Sequence, residues 1–299
     1  MSINFGRKNI ITIVLAIISV FVVYLVYKNS NNINELKDRV NTLEHKLSST
    51  TAELADSIKA NQTIISSALD QQKQSVGSIE QKLGAYQREV GDFTDTVTTL
   101  QKLSKTDPEL LAKYSKVFFL NENYAPARFT EVPSEYKYSE AKTLKVHEQV
   151  WPFLKKMIDR ANGFDIKIYV QSSYRSFNEQ SALKTQYKVT YGAGSANQFS
   201  ADQGYSEHQL GTTVDLITTG LNGDLNGFEK TNAYSWLNDN AYKYGFILSY
   251  PKDNKFYIYE PWHWRFVGVK LATYLHKNNK NFYDMEQRDI DEYLVSLFD

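Results

Sequence analysis

Two short stretches hold residues whose types and spacing could do chemistry. GYSEHQLGTTVDL, residues 204–216, places His208, one of five histidines, seven residues before the carboxylate of Asp215, with a glycine turn between them. YIYEPWHWRFVG, residues 257–268, carries Glu260, His263 and Arg265. A lone histidine beside a strand is more often a hydrogen-bonded structural group than a ligand, so the first stretch gains meaning only from the second. Two imidazoles and one carboxylate are the ligand set of a catalytic zinc site that leaves its fourth position to water. A further carboxylate three residues from a ligand can reach that water without binding the metal, and can take and return its proton. Pro261 biases Glu260 toward an extended conformation at a strand end, and His263 is expected where the chain turns toward a helix.

Such a site needs elements to hold it. LKVHEQVWPFLKKMIDRAN has helical periodicity up to Asn162-Gly163, and DIKIYVQSS alternates as a strand. FNEQSALKTQYKVTYG reads as a helix ending at Gly192, and HQLGTTVDLIT as a β-branched strand. EKTNAYSWLNDNAYKYG reads as a helix capped by Gly245, while FILSY and KFYIYE pair as a hairpin. RFVGVKLATYLHK and QRDIDEYLVSLF close the chain as helices. Helices and antiparallel strands are mixed without strict alternation. The expected class is α+β, a small antiparallel sheet with flanking helices.

Composition narrows the possible partners. The chain has 299 residues and a formal net charge of zero, which argues against nucleic acid, since phosphate binding needs a basic face. It has no cysteine, which removes disulfides, thiolate zinc sites and cysteine nucleophiles together. After Arg7 and Lys8 comes the uncharged run IITIVLAIISVFVVYLVY, residues 10–27. As a helix its roughly 18 residues span about 27 Å, close to a bilayer core. The run ends in LVYKNSNN with no small-x-small cleavage pattern, so an uncleaved anchor is expected rather than a signal peptide. The basic residues before it place the N-terminus inside and the rest of the chain outside a cell membrane crossed once.

From Ile33 the apolar residues Leu36, Val40, Leu43, Leu47 and Leu54 follow heptad spacing. A second block runs Val76, Ile79, Leu83, Tyr86, Val90, Phe93, Val97 and Leu100, with a skip in register between the two. Gly77, Gly84 and Gly91 recur on the outer face, where each costs a helix up to about 1 kcal/mol relative to Ala. The reading is a self-associating coiled-coil stalk, against the plainer alternative of a loosely helical spacer. Asp107-Pro108 then opens a Tyr-, Phe- and Trp-rich composition suited to one domain. The expected organisation is residues 1–28 as tip and anchor, 29–106 as stalk and 107–299 as the chemical domain.

GYSEHQLGTTVDL resembles the S-x-H-x-x-G-x-x-x-D motif of VanY-type bacterial D-alanyl-D-alanine carboxypeptidases and their L,D-carboxypeptidase relatives. YEPWHWRFVG resembles the E-x-W-H motif of the same family, and SSYRSFNEQ its S-x-Y-R-S-x-x-x-Q signature. VFFLNENYAPARF is similar to its opening segment, so the resemblance runs over roughly residues 117–277. It implies His208, Asp215 and His263 as zinc ligands, Glu260 as general acid/base and Arg175 as a contact for the substrate carboxylate or the scissile carbonyl. It also implies Ser206 and Gln180 as secondary substrate-binding residues, and a peptidoglycan stem peptide losing its C-terminal D-alanine as substrate. An endopeptidase of the same metallo-fold and a non-catalytic wall-binding protein remain as alternatives, as do D,D- and L,D-specificity. One departure stands in SADQG, where Asp202 and Gln203 replace a basic residue and a proline found in many relatives. His147 is read as a surface residue of a helix, His45 belongs to the stalk and His276 lies on a later helix; none has a matching partner. Trp262 and Trp264 are read as packing residues beside the ligand.

Overall fold

The structure is a computed structural model that describes residues 4–115, 117–191 and 201–299. The chain divides into two compact units, Met1–Gly91 and Asp92–Asp299. Helix α1, Asn4–Lys105, supplies the first unit and leads into the second. Its side chains in the first unit are exposed almost throughout, including Leu36, Val40, Leu43 and Leu47 of the apolar seam and the uncharged run before it. Among the described residues it is the one helix long and apolar enough to cross a membrane. Asp107 then accepts a hydrogen bond from the Glu109 N–H and caps a short 3-10 turn, Pro108–Leu111.

The second unit is α+β. Strands β1 (Phe129–Glu131) and β2 (Lys145–His147) form an antiparallel pair. Strands β3 (Tyr169–Ser172), β4 (Thr213–Ile217), β5 (Phe246–Leu248) and β6 (His263–Phe266) form an antiparallel sheet in the order β3-β4-β6-β5. Helices α2 (Trp151–Asn162), α3 (Phe177–Tyr191), α4 (Asn232–Asn240), α5 (Val269–Lys277) and α6 (Gln287–Asp291) lie between and after the strands. In α2, Leu154, Met157, Ile158 and Ala161 are buried at the i, i+3, i+4, i+7 spacing of one helix face. They join a core with Val214 and Leu216 of β4, Trp264 and Phe266 of β6, and Leu271 and Leu275 of α5.

Strand side chains alternate between faces, so the residues between those core positions point the other way. Thr213 and Asp215 therefore share a face with His263 and Arg265, and the register pairs Thr213 with Arg265 and Asp215 with His263. One face of the central strand pair is apolar core, and the other carries the chemistry.

Four sequence expectations change. The stretch from Leu144 is not helical from its start: residues 145–147 pair with β1, and α2 begins at Trp151. His147 is thus a half-buried strand residue whose ring stacks on Phe298 at 5.3 Å. FILSY does not pair with KFYIYE; β5 pairs with β6, and residues 255–260 form no strand. RFVG is not the opening of a helix, since β6 takes its first residues and α5 starts at Val269. In each case long-range strand pairing outweighs local periodicity. The end of α3 at Gly192 lies outside the described residues.

Candidate metal centre

His208 sits in a single 3-10 turn, Glu207–Leu210, that ends at Gly211 in the left-handed region with φ of 68°. A side chain there would be strained, and its Cβ would lie 3.0 Å from Pro126 and 3.3 Å from the His147 nitrogen. The turn leads directly into β4, which presents Asp215. His263 opens β6 as the last residue of a turn in which its N–H donates to the Glu260 carbonyl at 3.1 Å. That turn explains the spacing of three: it folds Glu260 back beside His263, whereas the expected turn toward a helix does not occur.

The side chains converge. His208, Asp215 and His263 are buried, and each offers a ligand atom within 4.8 Å of the other two. His208 Nδ1 donates to the Ser173 carbonyl at 2.7 Å, which leaves Nε2 facing Asp215 Oδ2 at 3.3 Å. His263 presents Nδ1, 3.2 Å from Asp215 Oδ1 and 3.5 Å from Glu260 Oε2. The imidazole rings stand nearly perpendicular at 5.0 Å between centroids. Two ring nitrogens and a carboxylate aimed at one point suit a divalent transition metal such as zinc. The donor set fits the metal that the motifs imply.

Arg175 stands with Nη1 3.8 Å from Asp215 Oδ2. Nη1 also donates to Ser172 Oγ at 2.8 Å, and Nε donates to Gln180 Oε1 at 2.9 Å. Gln180, also expected to bind substrate, is buried beside Arg175, and its amide donates to the Ala201 carbonyl at 2.9 Å. Ser206, Arg175, Glu260 and the three converging residues line a pocket of about 110 Å³, with Trp262 on its wall. Trp264 is core and donates to the Pro261 carbonyl. Asp202, one of the two departures in SADQG, pairs at 3.3 Å with the buried Lys184, so part of its charge is offset.

The electrostatics divide the groups. Burial pushes the Glu260 carboxyl up, His263 opposes and Asp215 adds to the rise, leaving it at about 7. Burial and the Arg175 charge take His208 down to about 4. For His263, burial would lower the pKa, but hydrogen bonds to Asp215 and Glu207 outweigh it and raise it to about 9. For Asp215, burial would raise the pKa, but the two histidines hold it well below the usual carboxylate range.

Glu207 was not singled out from the sequence. Its side chain is fully buried, with Oε2 3.0 Å from His263 Nε2. Oε1 accepts from Arg265 Nη1 at 2.7 Å, Ser249 Oγ at 2.8 Å and Tyr283 OH at 2.7 Å. These partners are scattered through the chain, so no local spacing could have pointed to the cluster.

The VanY family, described as D-alanyl-D-alanine carboxypeptidase, matches residues 143–269. YodJ of Bacillus subtilis (strain 168), provisionally named a carboxypeptidase, is 34% identical over 179 residues, covering 58% of this chain and 66% of that protein. A D-alanyl-D-alanine carboxypeptidase of Enterococcus faecalis (strain ATCC 700802 / V583) is 28% identical over 173 residues, covering 54% of this chain and 61% of the relative. The chain thus spans less than two thirds of the length of these two curated relatives. The solved structure of the LdcB LD-carboxypeptidase, described as revealing the molecular basis of peptidoglycan recognition, is 32% identical with a TM-score of 0.54. That likeness covers 59% of this chain and 85% of LdcB. With the motif residues gathered at one pocket and a solved relative matched over most of its length, the chain belongs to the VanY-type D-alanyl-D-alanine carboxypeptidase family.

Proposed function

We propose that this protein is a membrane-anchored zinc carboxypeptidase that removes a C-terminal D-amino acid, D-alanine, from peptidoglycan stem peptides. The observation that carries the reading is the convergence of His208 Nε2, Asp215 and His263 Nδ1 in a pocket that also holds Glu260 and Arg175. Those three residues hold the metal, which when bound supplies Lewis acidity at the scissile carbonyl. Arg175, oriented by Ser172 and Gln180, pairs with the substrate's terminal carboxylate or with charge developing at the carbonyl oxygen. Water adds to the carbonyl carbon while Glu260 takes its proton. As the C–N bond breaks, Glu260 returns that proton to the leaving amine. A carboxyl held near 7 can do both at neutral pH. Ser206 lines the pocket as a secondary substrate contact.

The carboxypeptidase names of the relatives, one of them an LD-carboxypeptidase, support the same reaction class. Residues 1–28 serve as tip and anchor, 29–106 as a coiled-coil stalk and 107–299 as the catalytic domain. The tether raises the local concentration of the site at the wall.

The test is zinc content together with mass spectrometry of pentapeptide and tetrapeptide stems after incubation with the full chain. Loss of one D-alanine from the pentapeptide identifies D,D-cleavage, and loss from the tetrapeptide identifies L,D-cleavage. Cleavage within the stem or a cross-bridge makes the protein an endopeptidase, and tight binding of intact stems without products makes it a wall binder. His263→Ala should release the metal, whereas His276→Ala should retain it.

A further inference from the structure

His263 is held from two sides. Tyr250 stacks on its ring at 4.0 Å with an interplanar angle of 11°, which sets the ring plane. Glu207 Oε2 lies 3.0 Å from Nε2, which sets rotation within that plane. The opposite nitrogen, Nδ1, is the one that faces Asp215 and Glu260. Glu207 is itself immobilised, because Arg265, Ser249 and Tyr283 all donate to Oε1 and leave only Oε2 for the imidazole. Arg265 is fixed in turn by donating Nη2 to the carbonyls of Leu110 and Ala112.

We propose that Glu207 is a positioning residue for the metal centre: it accepts the Nε2–H of His263 and thereby selects the ring tautomer whose Nδ1 lone pair is free for zinc. The inference rests on the zinc reading above and goes beyond it to a residue outside the ligand set. A neutral imidazole carries one N–H, so a partner that can only accept at Nε2 leaves Nδ1 bare. A carboxylate in this place also strengthens the ligand as a donor.

The Glu207→Gln variant separates this role from packing. The guanidinium of Arg265 can only donate, so the amide oxygen of Gln takes the place of Oε1 and the NH₂ group faces His263 Nε2. Nε2 must then accept, and the ring proton moves to Nδ1, where it blocks the metal. The full chain should bind zinc about 10–100-fold more weakly in a chelator competition at fixed pH. Its unloaded imidazole ¹⁵N spectrum should show the Nδ1–H tautomer. A residue that only filled space would lower stability yet leave the folded variant with wild-type zinc affinity, and that result overturns the proposal. Wild-type protein decides the point if the variant does not fold. When zinc-loaded, its His263 should show a protonated Nε2 and a metal-bound Nδ1, and the reverse pattern sinks the idea. Failure of the wild-type chain to take up zinc refutes the zinc reading, and this inference with it. Equal affinity of wild type and variant refutes the role of Glu207 alone.

Discussion

Glu260 and His263 sit 3.5 Å apart and are three residues apart in sequence, yet their proposed duties differ. Glu260→Gln keeps size and polarity but removes the proton acceptor. Zinc content should be unchanged while turnover falls by about 10²–10⁴-fold. Loss of the metal in that variant would make Glu260 a ligand, and unchanged turnover would mean that another group moves the proton. The titrating groups also make the metal-free chain sensitive to pH. His263 is raised from 6.5 to about 9, so its contribution to stability is complete below 6.5 and is lost as pH rises through 9. Glu260, raised from 4.5 to about 7, acts in the same direction over a lower window. His208, lowered from 6.5 to about 4, acts oppositely, its contribution being present above 6.5 and lost as pH falls toward 4. Glu260 and His208 offset one another between 4.5 and 6.5, and above 7 His263 acts alone. Stability of the metal-free chain should therefore fall between pH 7 and 9, by up to about 3 kcal/mol. Zinc bound at Nδ1 would replace the proton there and should flatten the slope. All four tryptophans follow residue 150, so urea unfolding read by their fluorescence reports on the second unit.

At the scale of elements, the site depends on one turn and one strand register. Gly211 lets the chain pass from the 3-10 turn bearing His208 into β4 within three residues. The His147 N–H donates to the Gly211 carbonyl at 2.8 Å, which ties the turn to β2. Gly211→Ala should cost roughly 1–2 kcal/mol for the left-handed backbone alone, with crowding against Pro126 adding to it. Urea midpoints should register the loss, and a neutral substitution would show that the turn can adopt another shape. The register between β4 and β6 is equally restrictive, since a slip by one residue would send Asp215 or His263 into the apolar core.

For the whole molecule, a continuous helix with an exposed apolar seam invites a partner. The uncharged run and the heptads occupy different stretches of α1, so the proposed membrane insertion and the proposed self-association can be tested separately. The full chain should fractionate with membranes and resist alkaline extraction. In detergent it should be a dimer or larger, and Leu83→Asp combined with Val90→Asp should make it monomeric while leaving stem-peptide hydrolysis intact. A wild-type chain already monomeric at high concentration would leave residues 29–106 as a spacer.

Much of this molecule is legible in its sequence because its key signals are local. The helical face of α2 and the S-x-H-x-x-G-x-x-x-D and E-x-W-H spacings each lie within a few turns of chain. Residue chemistry and periodicity are enough to read them, and they name the four side chains that the fold gathers at the pocket. The supporting shell is not local. Glu207 meets Ser249, Arg265 and Tyr283 across 42, 58 and 76 residues. The strand at 145–147 exists because β1 pairs with it, and β5 pairs with β6 rather than with residues 255–260 that lie between them in the chain. Burial and long-range pairing decide such contacts, and they arise only when the chain closes on itself.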